Sequence, residues 1–314
     1  MKVLVTGATG AVGGQLVPQL VAAGHTVVAT TTSESKTARL REAGAEPIVL
    51  DVLDAAAVHD AVSRTRPEAI VHQATALAGN LTLRKVDRDF AVTNRLRTDG
   101  TDNLLAAAAE SGVRRFVAQS AMQVLYARSG GPVKAEDAPL DTHPAPGSEL
   151  TLAAIRYLEH AVTSAPGIDG IVLRYGGFYG PGTSIEPGGE QLELVRKCQF
   201  PVVGGGGGVW SFTHVADAAG AAVAAVERGA PGIYNIVDDD PARLSEWLPE
   251  LARLAGAKKP MNVPRWVGRL LAGEFIAMAS TEIRGASNAK AKKELDWTPR
   301  HPSWRQGFAD MLHR

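Results

Sequence analysis

The chain has 314 residues, 45% of them hydrophobic, enough for one large α/β unit or a nucleotide-binding domain with a smaller partner. Its 33 basic side chains balance 33 acidic ones, which excludes the electrostatic footprint of a nucleic-acid or anionic-membrane binder. Cys198 is the single cysteine, so an internal disulfide and a cysteine metal cluster are excluded; no run approaches the ~18 apolar residues of a membrane span, and the expectation is a cytoplasmic protein.

In chain order, "KVLVTG" (2–7) predicts a strand that ends in a glycine loop, and "VGGQLVPQLVAAG" the helix the loop opens, with Gly24 as its stop. Further strands are expected at 26–32, 46–52, 68–75, 114–121 and 167–176, separated by helical segments such as "GTDNLLAAAAESGV". Strand–helix repeats of this length imply right-handed βαβ units, hence a doubly wound parallel sheet of the Rossmann type. Beyond residue 176 the regularity breaks into glycine-rich loops and helices. The expected division is a dinucleotide-binding domain over 1–175, rejoined by 209–237, with a smaller, interleaved C-terminal substrate lobe from 176–208 and 238–314.

The loop "TGATGAVG" follows a strand, opens a helix and forms the first βα turn, the context in which such glycines mean a dinucleotide site. Gly7 permits the tight turn, Gly10 lets a pyrophosphate approach the backbone, and Gly13 lets helix and strand pack closely. Thr9, Ala11 and Val12 complete the cradle, whose free N–H groups face the phosphates.

These residues resemble the TGxxGxxG fingerprint of the short-chain dehydrogenase/reductase superfamily, in its extended, epimerase/dehydratase-like branch. "VLDVLDAAAV", "VHQAT", "LRYGGFYGPG", "WSFTHVADAAGA", "GIYNIVDD" and "AKKELDWTP" resemble the branch's later segments in order, over nearly the whole chain. The resemblance implies a nicotinamide cofactor with Asp51 and Val52 beside the adenine, and with Gln73, Ala74, Thr75 and Gln119 lining the site. It also implies Tyr175, Gly176 and Phe178 at the nicotinamide end. The second strand ends in Thr30, Thr31, Thr32 and Ser33, with Lys36 a turn later and no carboxylate at Thr30, which favours NADP (NADPH) while leaving NAD possible through Glu34.

The branch's Tyr-x-x-x-Lys pair, in which Tyr handles the proton and Lys the ribose, has no counterpart in "GSELTLAAIRYLEHAV". One register puts Thr151 and Ile155 at the two positions, the next Leu152 and Arg156. The preceding strand offers Ser120 one place before the family's serine, where Ala121 stands. Ser120 and Thr151 are therefore candidate proton relays and Arg156 a candidate ribose contact, with Tyr126, Tyr179 and His214 weaker donors. The eight histidines show no H-x-x-x-H spacing, and no metal site is expected. The leading expectation is an atypical NAD(P)H-dependent ketone or quinone reductase acting on a bulky aromatic small molecule, as monomer or homodimer. A non-catalytic NAD(P)-binding redox sensor and a sugar-nucleotide epimerase or dehydratase are the alternatives. The Gly177 of "RYGG", where sugar-nucleotide enzymes carry asparagine, speaks against the last.

Overall fold

A computed structural model describes residues 1–77, 83–122 and 125–313. The first part runs β1 (Lys2–Thr6), α1 (Ala11–Ala22), β2 (Thr26–Thr31), α2 (Thr37–Glu42), β3 (Glu46–Val49), α3 (Ala55–Thr65) and β4 (Ala69–His72). It continues through α4 (Val86–Asp89), α5 (Ala91–Arg97), α6 (Asp99–Ser111), β5 (Arg115–Ala121), β6 (Val133–Lys134) and α7 (Glu149–Thr163). Then come β7 (Asp169–Tyr175), β8 (Gly177–Tyr179), α8 (Glu190–Arg196), β9 (Val202–Val203), β10 (Val209–Trp210), β11 (Phe212–His214), α9 (Val215–Glu227) and β12 (Gly232–Ile236).

Seven of these strands form one sheet in the order β12-β7-β5-β4-β1-β2-β3, and every neighbouring pair is parallel. The chain winds outward from β1 to β3 and then returns to place β4 on the other side of β1. That reversal opens a crevice at the carboxyl ends of β1 and β4, the place where doubly wound sheets bind ligands.

Alternation along the strands fills two cores. Val3, Val5, Val71, Val117 and Ile171 face α1 and α9, whereas Leu4, Ile70, Phe116 and Val172 face α3, α6 and α7. A third cluster, built on Trp247, Phe212, Tyr179, Trp304 and Phe308, lies beyond the sheet and supports the C-terminal part of the chain. Asp217 on α9 ties the two together, its carboxylate accepting the amides of Arg300 and His301, each at 2.9 Å.

Candidate cofactor and substrate site

The glycine loop has the geometry of a phosphate cradle. Gly7 sits at φ +69°, and a Cβ there would lie 2.5 Å from the carbonyl oxygen of Gln73. A Cβ on Gly13 would overlap the Gly7 carbonyl, so α1 packs this closely on β1 only with glycine there. The Gly10 amide donates to Gly7 (3.0 Å), closing the turn, and no side chain among the described residues caps α1. Its first N–H groups therefore remain available to an anion. Gly10 is exposed, Thr9 and Ala11 are half-buried, and Val12 turns into the core. These residues fit the pyrophosphate of a dinucleotide. Ala74, Thr75 and Gln119 are half-buried at the ends of β4 and β5, while Gln73 is buried with its Nε2 3.5 Å from the Tyr175 hydroxyl.

At the end of β2, Thr30 and Thr31 are buried, and the Thr31 hydroxyl accepts the Ser33 amide at 3.2 Å. Thr32 and Lys36 are exposed, and the Ser33 and Ser35 hydroxyls meet at 2.8 Å. Arg39 on α2, which the sequence reading passed over, brings its Nη2 to 3.4 Å from where a Cβ of Gly14 would stand, on the first turn of α1. A cation one turn beyond Lys36 was the available signal. Asp51 is exposed and accepts the Leu53 amide at 3.0 Å, and the Val52 side chain is buried in the α3–α6 core.

Several candidate residues lie elsewhere than expected. The Tyr175 ring, read as packing the nicotinamide, fills the core under α9 and is 1% exposed; its hydroxyl donates to the Ala218 carbonyl. Burial pushes that phenol above the ordinary tyrosine range. Gly176 is buried, its amide donating to the Thr213 hydroxyl at 3.1 Å. Phe178 is half-buried, its ring 5.2 Å from that of Tyr175. Arg156 turns to the segment before α7, where its Nη2 donates to the Asp141 carbonyl, so its place as a ribose contact is not what this conformation offers.

The proposed proton relays are engaged as well. The Ser120 hydroxyl donates to Glu159 (2.7 Å), whose carboxylate also accepts Arg174 through Nε (2.8 Å) and Nη2 (2.6 Å). Arg174 reaches on to the Tyr126 hydroxyl (2.9 Å), which donates to Asn235 (2.7 Å). Burial raises the Tyr126 phenol, and raises Tyr179, in the third core cluster, still further. Thr151 donates its hydroxyl to Asp87 at 2.8 Å and accepts Asn94 Nδ2 at 3.1 Å. Asp87 also takes the Leu150 and Thr151 amides, acting as an N-terminal cap for α7 supplied from α4. His214 caps α9 instead, its Nδ1 accepting the Ala216 amide, and its ring stacks on His301. No tyrosine in the chain is followed by lysine four residues on.

Three further polar residues lie near the end of β4 and the start of α7. His72, at the end of β4, bonds the Thr6 hydroxyl (2.8 Å) and the Leu96 carbonyl (3.1 Å), and burial lowers its pKa to about 4, so the ring is neutral near pH 7. Asn94 and Arg97 come from α5. Arg97 occupies the buried stripe Thr93, Leu96, Arg97, Gly100, Thr101, Leu104, and a charged residue at apolar helical spacing was the signal for it.

The model of the NAD dependent epimerase/dehydratase family matches residues 3–237. A Streptomyces 3-diazoavenalumate denitrifying reductase is 46% identical over 309 residues, covering 98% of this chain and 99% of that protein. A Stigmatella aurantiaca ketoreductase of a farnesylated dihydroquinoline oxide is 29% identical, over 87% of this chain and 79% of its own. Among solved structures, the UDP-glucose 4-epimerase of Thermus thermophilus in complex with NAD superposes with a TM-score of 0.75 at 25% identity, covering 100% of this chain and 98% of that one. The Thermotoga maritima UDP-glucose 4-epimerase shares the fold with a TM-score of 0.77 at 23% identity, over 100% and 98% of the two chains.

Proposed function

The chain belongs to the NAD dependent epimerase/dehydratase family and is an NAD-dependent reductase; from that premise we propose that it replaces the diazo group of an aromatic substrate by hydrogen, using NADPH. The observation that carries this reading is the state of the hydroxyls. Among the described residues, Ser120, Thr151 and Tyr126 each donate their proton to a protein acceptor, and Tyr179 is sealed in a core. A site built this way is poorly equipped to protonate an alkoxide.

A dinucleotide held by its pyrophosphate at the glycine loop would supply a hydride from its nicotinamide. A carbonyl that takes up hydride needs a proton as well. An arene diazonium does not: the new C–H bond takes the hydride pair, the C–N pair leaves with dinitrogen, and the charges cancel. Gly7, Gly10 and Gly13 would hold the pyrophosphate, and Phe178 is the residue we place toward the nicotinamide end. The relative at 46% identity, a denitrifying reductase by name, supports the same chemistry.

The test is to incubate the protein with an ortho-diazophenol and NADPH deuterated at the transferred position. The expected result is dinitrogen release matched to cofactor oxidation, with deuterium in the arene from NADPH and none from heavy water. Turnover of aromatic ketones without any of the diazo compound would overturn the proposal in favour of carbonyl reduction.

A further inference from the structure

Arg97 is an expensive residue to bury as it stands. It is 6% exposed, yet its only hydrogen bond among the described residues is a long one, Nη1 to Asn94 Oδ1 at 3.4 Å. A guanidinium carries five donors and stays charged in proteins. Its Nε and Nη2 are not among the sealed, unpartnered atoms of the described residues, so they keep some access to open space. Glu159 attracts it, but both oxygens of that carboxylate already hold Arg174 in a fork. Arg97 therefore has no carboxylate among the described residues as a direct partner: Glu159 is taken by Arg174, the neighbouring His72 is neutral near pH 7, and Asp87 reaches it only through Thr151 and Asn94. Burial lowers the Arg97 pKa to about 10, with Glu159 acting the other way, so the guanidinium stays charged near pH 7.

The position of the charge matters as much as its sign. Asn94 touches Thr151, and Arg97 lies one turn along α5, drawn toward Glu159 two turns along α7. The guanidinium thus lies between α5 and α7, near enough for its charge to act on His72 at the end of β4. β4 and β1 are the strands at which the sheet order reverses.

We propose that Arg97 is the binding site for an oxyanion of the substrate, a phenolate or carboxylate carried by the aromatic ring system. This rests on the reading of the crevice as the hydride-transfer site. An oxyanion supplies the missing counter-charge and accepts from Nε and Nη2 together, the paired geometry that favours arginine over lysine. On an ortho-diazophenol, the contact draws charge onto the oxygen and keeps the adjoining carbon–nitrogen unit in its diazonium form, ready for hydride.

The experiment reads binding, not turnover. With NADP⁺ present, 4-nitrophenol is titrated near its own pKa into the wild type and into Arg97→Met and Arg97→Lys, following the phenolate absorbance; the neutral 4-nitroanisole and benzoate are run as competitors. The wild type should bind the phenolate at least about tenfold more tightly than the ether and shift bound 4-nitrophenol toward its anion. Arg97→Met should bring the two within about twofold, and Arg97→Lys should keep part of the preference. Benzoate competing as well as the phenolate would assign the oxyanion to a carboxylate; benzoate competing no better than the ether would assign it to a phenolate. Equal binding of phenolate and ether by the wild type overturns the proposal, as does an unchanged preference in Arg97→Met. If Arg97→Met does not fold, the wild-type comparison and Arg97→Lys decide. Failure of the diazo chemistry leaves this binding result untouched, so the two readings fail separately.

Discussion

Glu159 is the residue on which the buried polar layer depends. It is 4% exposed and accepts hydrogen bonds from a serine on β5 and an arginine on β7, while also attracting Arg97 on α5. Removing one partner of such a cluster costs far more than the cluster adds over apolar packing, because a bare charge stays behind. Glu159→Gln leaves two buried guanidiniums without an anion, and should destabilise the fold by about 3–5 kcal/mol in chemical or thermal unfolding. Ser120→Ala removes one hydrogen bond from the same carboxylate and should cost about 1 kcal/mol, with turnover within about twofold of wild type. A large loss of turnover at full stability would restore Ser120 as a proton relay. Strand alternation explains the misreading of Tyr175: Arg174 faces α7 and its neighbour must therefore face α9, deep in the other core.

The junction of β2, the turn that follows it and α2 is where the proposed preference for NADPH would be read. It presents Thr32, Ser33, Ser35, Lys36 and Arg39 where an adenosine ribose would lie beyond the glycine loop, and Glu34 as the carboxylate of the turn. Two cations and several hydroxyls suit a 2′-phosphate better than a bare hydroxyl. Arg39→Glu should weaken NADPH about tenfold and leave NADH unchanged in fluorescence titrations; equal loss for both would show that Arg39 does not read the phosphate. At this scale the sequence was informative wherever structure is local. The glycine loop, the strands that precede each helix and the start of α9 are written in contiguous residues with a fixed period. What it could not show were partners brought from afar: Asp87 capping α7 across 64 residues, or His301 joining Asp217 across 84. Such contacts depend on crossovers, which periodicity does not encode.

Across the whole molecule, Asp238 is the point where the main sheet hands the chain to the C-terminal part. It follows β12 and accepts the amide of Trp304 at 2.7 Å, fixing the start of the last helix, Trp304–Leu312. Burial pushes its carboxyl up from 3.8 to about 8, so the folded state favours the protonated form. Stability from this group is complete below the unfolded value and is lost as pH rises through the window between the two. Melting temperature should therefore fall between about pH 4 and about pH 8, and fall less in Asp238→Asn; identical slopes in the two proteins would remove Asp238 as the cause. The engagement of Thr151 by Asp87 has a wider meaning for the direction of flux. An acid that delivers a proton in one direction is the base that removes it in the other, so hydroxyls engaged as Thr151 is would serve no better to run an alcohol back to a ketone. On the proposed chemistry, with a gas as the leaving product, such a catalyst would work as a one-way valve: the ratio of reduced to oxidised cofactor would set its pace, and never its direction.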